Sequence, residues 1–209
     1  SCALLVFLTI ATVRQTMYWK DGVTLFARTV EVEPDNGFAH LTLGKAYMRE
    51  RDIAAAQIHY ARAIELIPNN PDVAFGLGTT LSALGRIEEA IPFLEKAATE
   101  YAKPEDAYTN LGHALLRNNN PAEARDRFER ALAIRPNLEG AVLGLGIAEG
   151  VLGNNARAVE LLTGAVQRNA QNPAARFNLG LAYMSANRPA DAIAQFEATL
   201  RLRADYPGA

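Results

Sequence analysis

The pair Leu-Gly occurs at Leu43-Gly44, Leu77-Gly78, Leu111-Gly112, Leu145-Gly146 and Leu179-Gly180, five times at a constant interval of 34 residues. Ala56, Ala90, Ala124, Ala158 and Ala192 keep the same interval. So do the bulkier Tyr60, Leu94, Phe128, Leu162 and Phe196. A fourth register runs through Ala63, Ala97, Ala131 and Ala165 and closes with Thr199. Recurrence at a fixed period of this size means that one supersecondary unit is repeated, and that each copy buries its apolar face against its neighbours. No insertion interrupts the five copies, so the architecture follows from the period before any single residue is interpreted.

Within a copy, apolar residues recur at helical spacing in two blocks, for example Gly37–Glu50 and Ile53–Leu66, separated by a short polar turn. The turns are Arg51-Asp52, Gly85-Arg86, Asn118-Asn119-Asn120, Gly153-Asn154 and Asn187-Arg188. Gly and Asn tolerate the left-handed backbone that ends a helix, and so suit these places. Gly44 and its copies sit in mid-helix, where glycine costs about 0.5–1 kcal/mol against alanine. That cost is expected where a second helix has to pass close by. Pro68 and Pro136 stop second helices, and Pro71 and Pro173 open first helices, where a missing N–H is harmless.

The Leu-Gly, Tyr, Ala, aromatic, Ala and Pro positions resemble the tetratricopeptide repeat. The resemblance covers residues 37–206 as copies 37–70, 71–104, 105–138, 139–172 and 173–206, leaving 207–209 as a tail. It implies an all-α fold, a right-handed α-solenoid of helix-turn-helix repeats. Departures fall at the early Trp position, filled by His40, Ala74, Tyr108, Val142 and Arg176, and at Glu149, which stands where a Tyr is usual. Ala102 and Ala170 replace the closing proline. These changes are expected to loosen packing only locally.

Ahead of the repeats, residues 2–13 form an uncharged apolar run, too short for a bilayer span of about 20 residues. Residues 1–16 read as an apolar helix, and two readings stay open. It either packs against the solenoid or forms the exit end of a transmembrane span that begins upstream. Leu4, Leu5, Phe7, Leu8 and Trp19 are the expected membrane or partner-helix contacts. Met17, Tyr18 and Trp19 suit an interfacial belt, or Trp19 packs under the first full repeat. Projecting the 34-residue frame backward makes 17–36 a half-repeat. The junction also resembles the boundary in membrane O-mannosyltransferase-like proteins where the last span gives way to repeats, through Trp19, Asp21, Leu25, Phe26, Pro34 and Asn36. That likeness implies a catalytic part lying upstream of this chain.

The composition narrows function mainly by exclusion. Lys and Arg total 21 against 23 Asp and Glu, so there is no net field for nucleic acid. The lone Cys2 cannot form an intrachain disulfide. The three histidines are scattered: His40 falls on the packing face of a first helix and His59 beside the aromatic core position of a second helix, both expected to be structural or surface residues. "GLGTT" and "GLGIAEG" are the repeat's own Leu-Gly element and not nucleotide-binding loops. No enzyme and no cofactor or metal is expected.

Stacked hairpins leave a concave face lined by the first helices, and such faces bind other proteins. The candidate partner-binding groove takes Phe38, Leu41, Lys45 and Arg49 from the first copy and Phe75 and Thr79 from the second. The third supplies Asp106, Asn110, His113 and Arg117, the fourth Leu143 and Ile147, and the fifth Phe177, Asn178 and Leu181. The same face of the fourth copy continues bare and apolar through Gly150 and Val151. An alternative for several of these side chains is packing against the next repeat. Family members that grip a C-terminal carboxylate use clustered Lys, Arg and Asn. Lys45 and Asn110 match two such sites, but the other basic partners are missing. The expected partner is therefore a protein or peptide segment, helical or extended, with apolar side chains. Asn110 and Asn178 are placed to bond its backbone. A membrane-associated setting is expected from the front end. "PGA" resembles the start of another repeat, which suggests a fragment or a last helix covered by partners.

Overall fold

The computed structural model describes residues 22–208, so the expectations for residues 1–21, including Leu4, Leu5, Phe7, Leu8 and Trp19, lie outside the described residues. The described residues form eleven helices and no strand. The chain divides into two compact units, 1–97 and 98–209.

In the first unit, α1 (Gly22–Val32) precedes two hairpins, α2 (Gly37–Glu50) with α3 (Ile53–Leu66) and α4 (Pro71–Ala83) with α5 (Ile87–Glu100), whose last turn crosses the division. The second unit contains α6 (Pro104–Arg117), α7 (Pro121–Ile134), α8 (Glu139–Val151), α9 (Asn155–Arg168), α10 (Pro173–Ser185) and α11 (Pro189–Leu202). In the second unit each helix packs on the next one in the chain, and α8 also touches α6 and α10. Helices α1 to α4 pack in chain order as well, and α2 touches α4. Each unit is thus a stack of helical hairpins, the arrangement of an α-solenoid.

Every first helix ends in the same way. The residue in the left-handed region is Arg51, Gly85, Asn119, Gly153 or Asn187, with φ between 56° and 84°. The amide that follows bonds back to a carbonyl five residues earlier, as in Asp52 N to Tyr47 O at 3.0 Å and Arg188 N to Tyr183 O at 2.8 Å. This closure satisfies carbonyls that the helix leaves open. Helix starts are capped by side chains at Asn36, Asp52, Asn70 and Asn172.

The glycines of the Leu-Gly pairs lie where the two helices of a hairpin cross. A methyl placed on Gly112 would lie 2.7 Å from Phe128 Cε1, and one on Gly78 would lie 2.7 Å from Leu94 Cγ. Two further glycines have the same role between repeats. Gly76 meets the Tyr60 ring and Gly144 meets the Phe128 ring, each from the repeat that follows. Tyr60 is therefore held between Gly44 and Gly76, and Phe128, fully buried, between Gly112 and Gly144. The second and fourth repeats depart from this pattern. There the buried residue is the smaller Leu94 or Leu162, and the position matching Gly144 in the next repeat is Asn110 or Asn178.

Glu149 does not loosen its repeat. It is 3% exposed and accepts hydrogen bonds from Asn154 Nδ2 at 2.6 Å and Arg157 Nε at 3.1 Å. A buried carboxylate needs such donors, and here they join the α8–α9 turn to the start of α9.

Candidate functional site

Several of the groove residues expected from the sequence serve the fold. The fifth position of each repeat was expected to face a ligand, yet Leu41 is 6% exposed and lies in the core. Leu143 packs against the buried cluster of Ala158, Leu162, Leu179 and Ala182 and also against Val142, Ala165 and Ala175. The Phe177 ring lies 5.7 Å from that of Phe196 and 5.1 Å from that of Tyr206. The physical reason is that packing these side chains against neighbouring helices or the following segment removes apolar surface from water.

The charged candidates are already engaged. Lys45 Nζ donates to Asp72 Oδ1 at 2.7 Å, linking α2 to α4. Asp106 accepts from Arg135, whose guanidinium also lies 3.7 Å from Glu105. A ligand carboxylate at Lys45 would have to share its ammonium with Asp72. His113 packs edge-on against Phe128 with ring centroids 5.0 Å apart. Burial pushes its pKa below the ordinary histidine value, opposed by a backbone hydrogen bond to Gly140. Arg49 and Arg117 are exposed, and Phe75, Thr79 and Asn110 are half-buried. In the first unit Phe38 stands 64% exposed beside the α3–α4 turn and borders an open depression with Ile67 and Pro68.

In the second unit a cleft of about 390 Å³ opens between α8 and α10. Its walls are Ile147 and Val151 on one side and Leu181 and Met184 on the other, with Asn178 and Ser185 supplying the polar atoms. Gly146, Gly150, Ala182 and Leu162 line the rest. Val151, Leu181 and Met184 are 61%, 44% and 53% exposed, so the apolar walls face solvent. Asn178 Nδ2 donates to Ala174 O at 2.8 Å, which fixes the amide on α10. No charged side chain lines the cleft.

Two substitutions in the repeat pattern create this space. Leu162 fills less volume than the phenylalanine at the matching place in the third repeat, Phe128. Gly150 stands where other copies carry Met48, Ser82, Leu116 or Met184, so α8 has no side chain there. Sequence reasoning placed Ile147, Asn178 and Leu181 on this face, and the cleft brings them together. It missed Gly146, Leu162 and Ala182, which come from the crossing of helices, and Gly150, the one glycine at its place in the repeat, was the signal available. Among the described residues, no group of three or more His, Cys, Asp or Glu side chains is arranged to hold a metal ion.

Helical hairpins repeated in register, with small residues at the crossings and a lined face on the first helices, define a helical-repeat protein. Two sequence profiles described as tetratricopeptide repeat match the chain, one over residues 19–71 and 143–207 and the other over 48–111 and 81–146. The chain belongs to the tetratricopeptide repeat family. It is 32% identical over 105 residues to small glutamine-rich tetratricopeptide repeat-containing protein 2 of Mycosarcoma maydis, covering 50% of this chain and 29% of that protein. Protein O-mannosyl-transferase TMTC3 of Homo sapiens is 22% identical over 209 residues, 92% of this chain and 23% of the relative. The chain spans less than half the length of the curated relatives it matches. Among solved structures, YrrB, described as a TPR protein with an unusual peptide-binding site, superposes with a TM-score of 0.67 at 18% identity. That match covers 87% of this chain and 93% of YrrB.

Proposed function

We propose that this chain is a non-catalytic protein-interaction module that seats an apolar side chain of a partner segment in the cleft between α8 and α10. The carrying observation is the cleft itself, with exposed apolar walls, one oriented amide and no charge. An apolar pocket with few placed polar groups is the usual form of a recognition site. The Asn178 amide is placed to bond the backbone of the bound segment. Within the second unit, Leu181 is the exposed groove position of this cleft, and in the first unit Phe38 and Arg49 are exposed. The peptide-binding site named for YrrB supports the general mode.

The test is a selection of random peptides on the wild-type chain, followed by affinity measurement on Gly150→Met and Leu181→Asp. Met at 150 restores the side chain carried by the first and fifth copies and fills the cleft without adding charge. Selected peptides should carry a Leu, Ile or Phe anchor. Losing an anchor pocket costs about 2 kcal/mol, so affinity for the variants should fall about 30-fold. Unchanged affinity in both variants would remove the cleft from the reading.

A second reading rests on the alignment to TMTC3 over 92% of this chain. In it the repeats are the C-terminal region of a larger membrane glycosyltransferase-like protein whose catalytic part lies upstream, and the membrane contact is made by residues 2–19. No helix among the described residues is long and apolar enough to cross a membrane. Membrane retention that resists high salt and is lost on deleting residues 1–16 supports this reading. Retention unaffected by the deletion, or no retention at all, counts against it.

A further inference from the structure

The first full repeat contains a histidine pair that the binding face does not use. His40 on α2 is 6% exposed. Its Nε2 lies 3.0 Å from the carbonyl oxygen of Pro34 in the turn ahead of α2, and its Nδ1 lies 3.0 Å from His59 Nδ1 on α3. A carbonyl only accepts, so His40 Nε2 carries the hydrogen. In the neutral ring, Nδ1 is then an acceptor, and the hydrogen between the rings belongs to His59. The two bonds form a chain from α3 through α2 to the α1–α2 turn, in which each ring has a fixed tautomer.

This chain can hold one extra proton but not two. The first enters at His59 Nε2, and the single hydrogen between the two Nδ1 atoms can then lie on either ring, so the charge belongs to the pair. The second has no site except the remaining bare Nδ1, and it would set two N–H groups face to face at a separation of 3.0 Å. We propose that His40 and His59 form an acid-operated latch, which ties the α1–α2 turn to the first hairpin and opens when the pair is forced to take a second proton. Opening frees the Pro34 carbonyl and drives the His40 ring out of a buried position beside Gly37, Ala39 and Leu41, all buried themselves.

The charges around the pair do not relieve it. In the turn, Asp35 is bonded to Arg62 of α3 and Glu33 accepts from Asn36. On α3, Glu65 is also paired with Arg62. On α1, Arg28 pairs with Glu31, and Asp72 of α4 is held by Lys45. The Tyr47 ring stacks on His59 at 5.5 Å and offers it no acceptor. Burial, and then the charge of His40, push the His59 pKa below the ordinary value, as expected when the two rings compete for a proton.

The experiment follows imidazole nitrogen resonances and amide hydrogen exchange in the full chain from pH 7.5 to 4. The pair should titrate in two steps separated by more than about one pH unit. Across the lower step, exchange should accelerate at least tenfold at the amides of Ala39 and His40, while Ala124 and Ala158 in the second unit stay protected. Independent titration of both rings in a single step would overturn the proposal, as would two steps without a change in exchange, or loss of protection in both units together. In His59→Gln the side-chain amide can still donate to His40 but takes no proton. The acid-induced acceleration should vanish there, and its persistence would assign it to other groups. Should that variant not fold, the wild-type titration and exchange decide the matter alone.

Discussion

Alanine replacing Gly144, Gly146 and Gly150 of α8 one at a time makes a single chemical change whose sign is set by what the added methyl touches. In a helix interior alanine is favoured over glycine by about 0.5–1 kcal/mol, and this gain is common to the series. At Gly150 the new Cβ would lie 3.7 Å from the Ala158 methyl, an ordinary contact. The full gain should appear, raising the melting temperature by about 1–4 °C for a chain of this size. At Gly144 the methyl would fall on the Phe128 ring, which is fully buried between two helices and cannot swing aside. Overpacking of that kind costs about 1–3 kcal/mol, which offsets the gain and leaves a net loss of up to about 2.5 kcal/mol. At Gly146 the methyl would lie 2.7 Å from Leu162 Cγ. That side chain borders the open cleft, so the loss should be smaller than at Gly144. Urea unfolding followed by circular dichroism reads all three, at about 0.3–1 M of midpoint per kcal/mol. A stabilised Gly144→Ala, or a destabilised Gly150→Ala, would refute the reasoning that distinguishes crossing glycines from the cleft glycine.

Arg51 is the only one of the five turn residues in the left-handed region that is neither Gly nor Asn. An L-residue there costs about 1–2 kcal/mol, so Arg51→Gly should raise thermal stability, while Asn119→Gly should change it less. Glu149→Ala removes the acceptor shared by Asn154 and Arg157 and should cost about 1–3 kcal/mol in denaturant unfolding. Arg157→Ala should cost less, because the guanidinium is half exposed and screened. For His113, burial lowers the folded-state pKa, so the unfolded chain binds the proton more readily. Its contribution to stability is complete above about pH 6.5 and is lost as pH falls through that value toward the lower folded-state pKa. His113→Gln should flatten that part of the stability curve, which chemical denaturation at a series of pH values between 7.5 and 5 would show.

Much of the site was hidden in the sequence for one physical reason. A helical period tells which side chains share a face, but not whether the next hairpin covers that face. Phe177 and Leu143 satisfy the same helical spacing as Leu181, yet the first two are half-buried against neighbouring residues while Leu181 is 44% exposed. The two histidines show the same limit. His40 reads as a packing-face residue and His59 as a neighbour of the core aromatic, and only their juxtaposition across α2 and α3 reveals that they share a hydrogen.

The sequence by itself determined the repeating hairpin. Its 34-residue interval, its small residues at the crossings and its Gly or Asn turns act within one copy, where backbone conformation and local sterics suffice. Tertiary structure decided where the stack is open. Whether Leu162 or Phe128 fills a crossing, and whether Gly or Met stands opposite, sets the leftover volume only after two neighbouring repeats are in contact. That volume is a property of neither repeat alone.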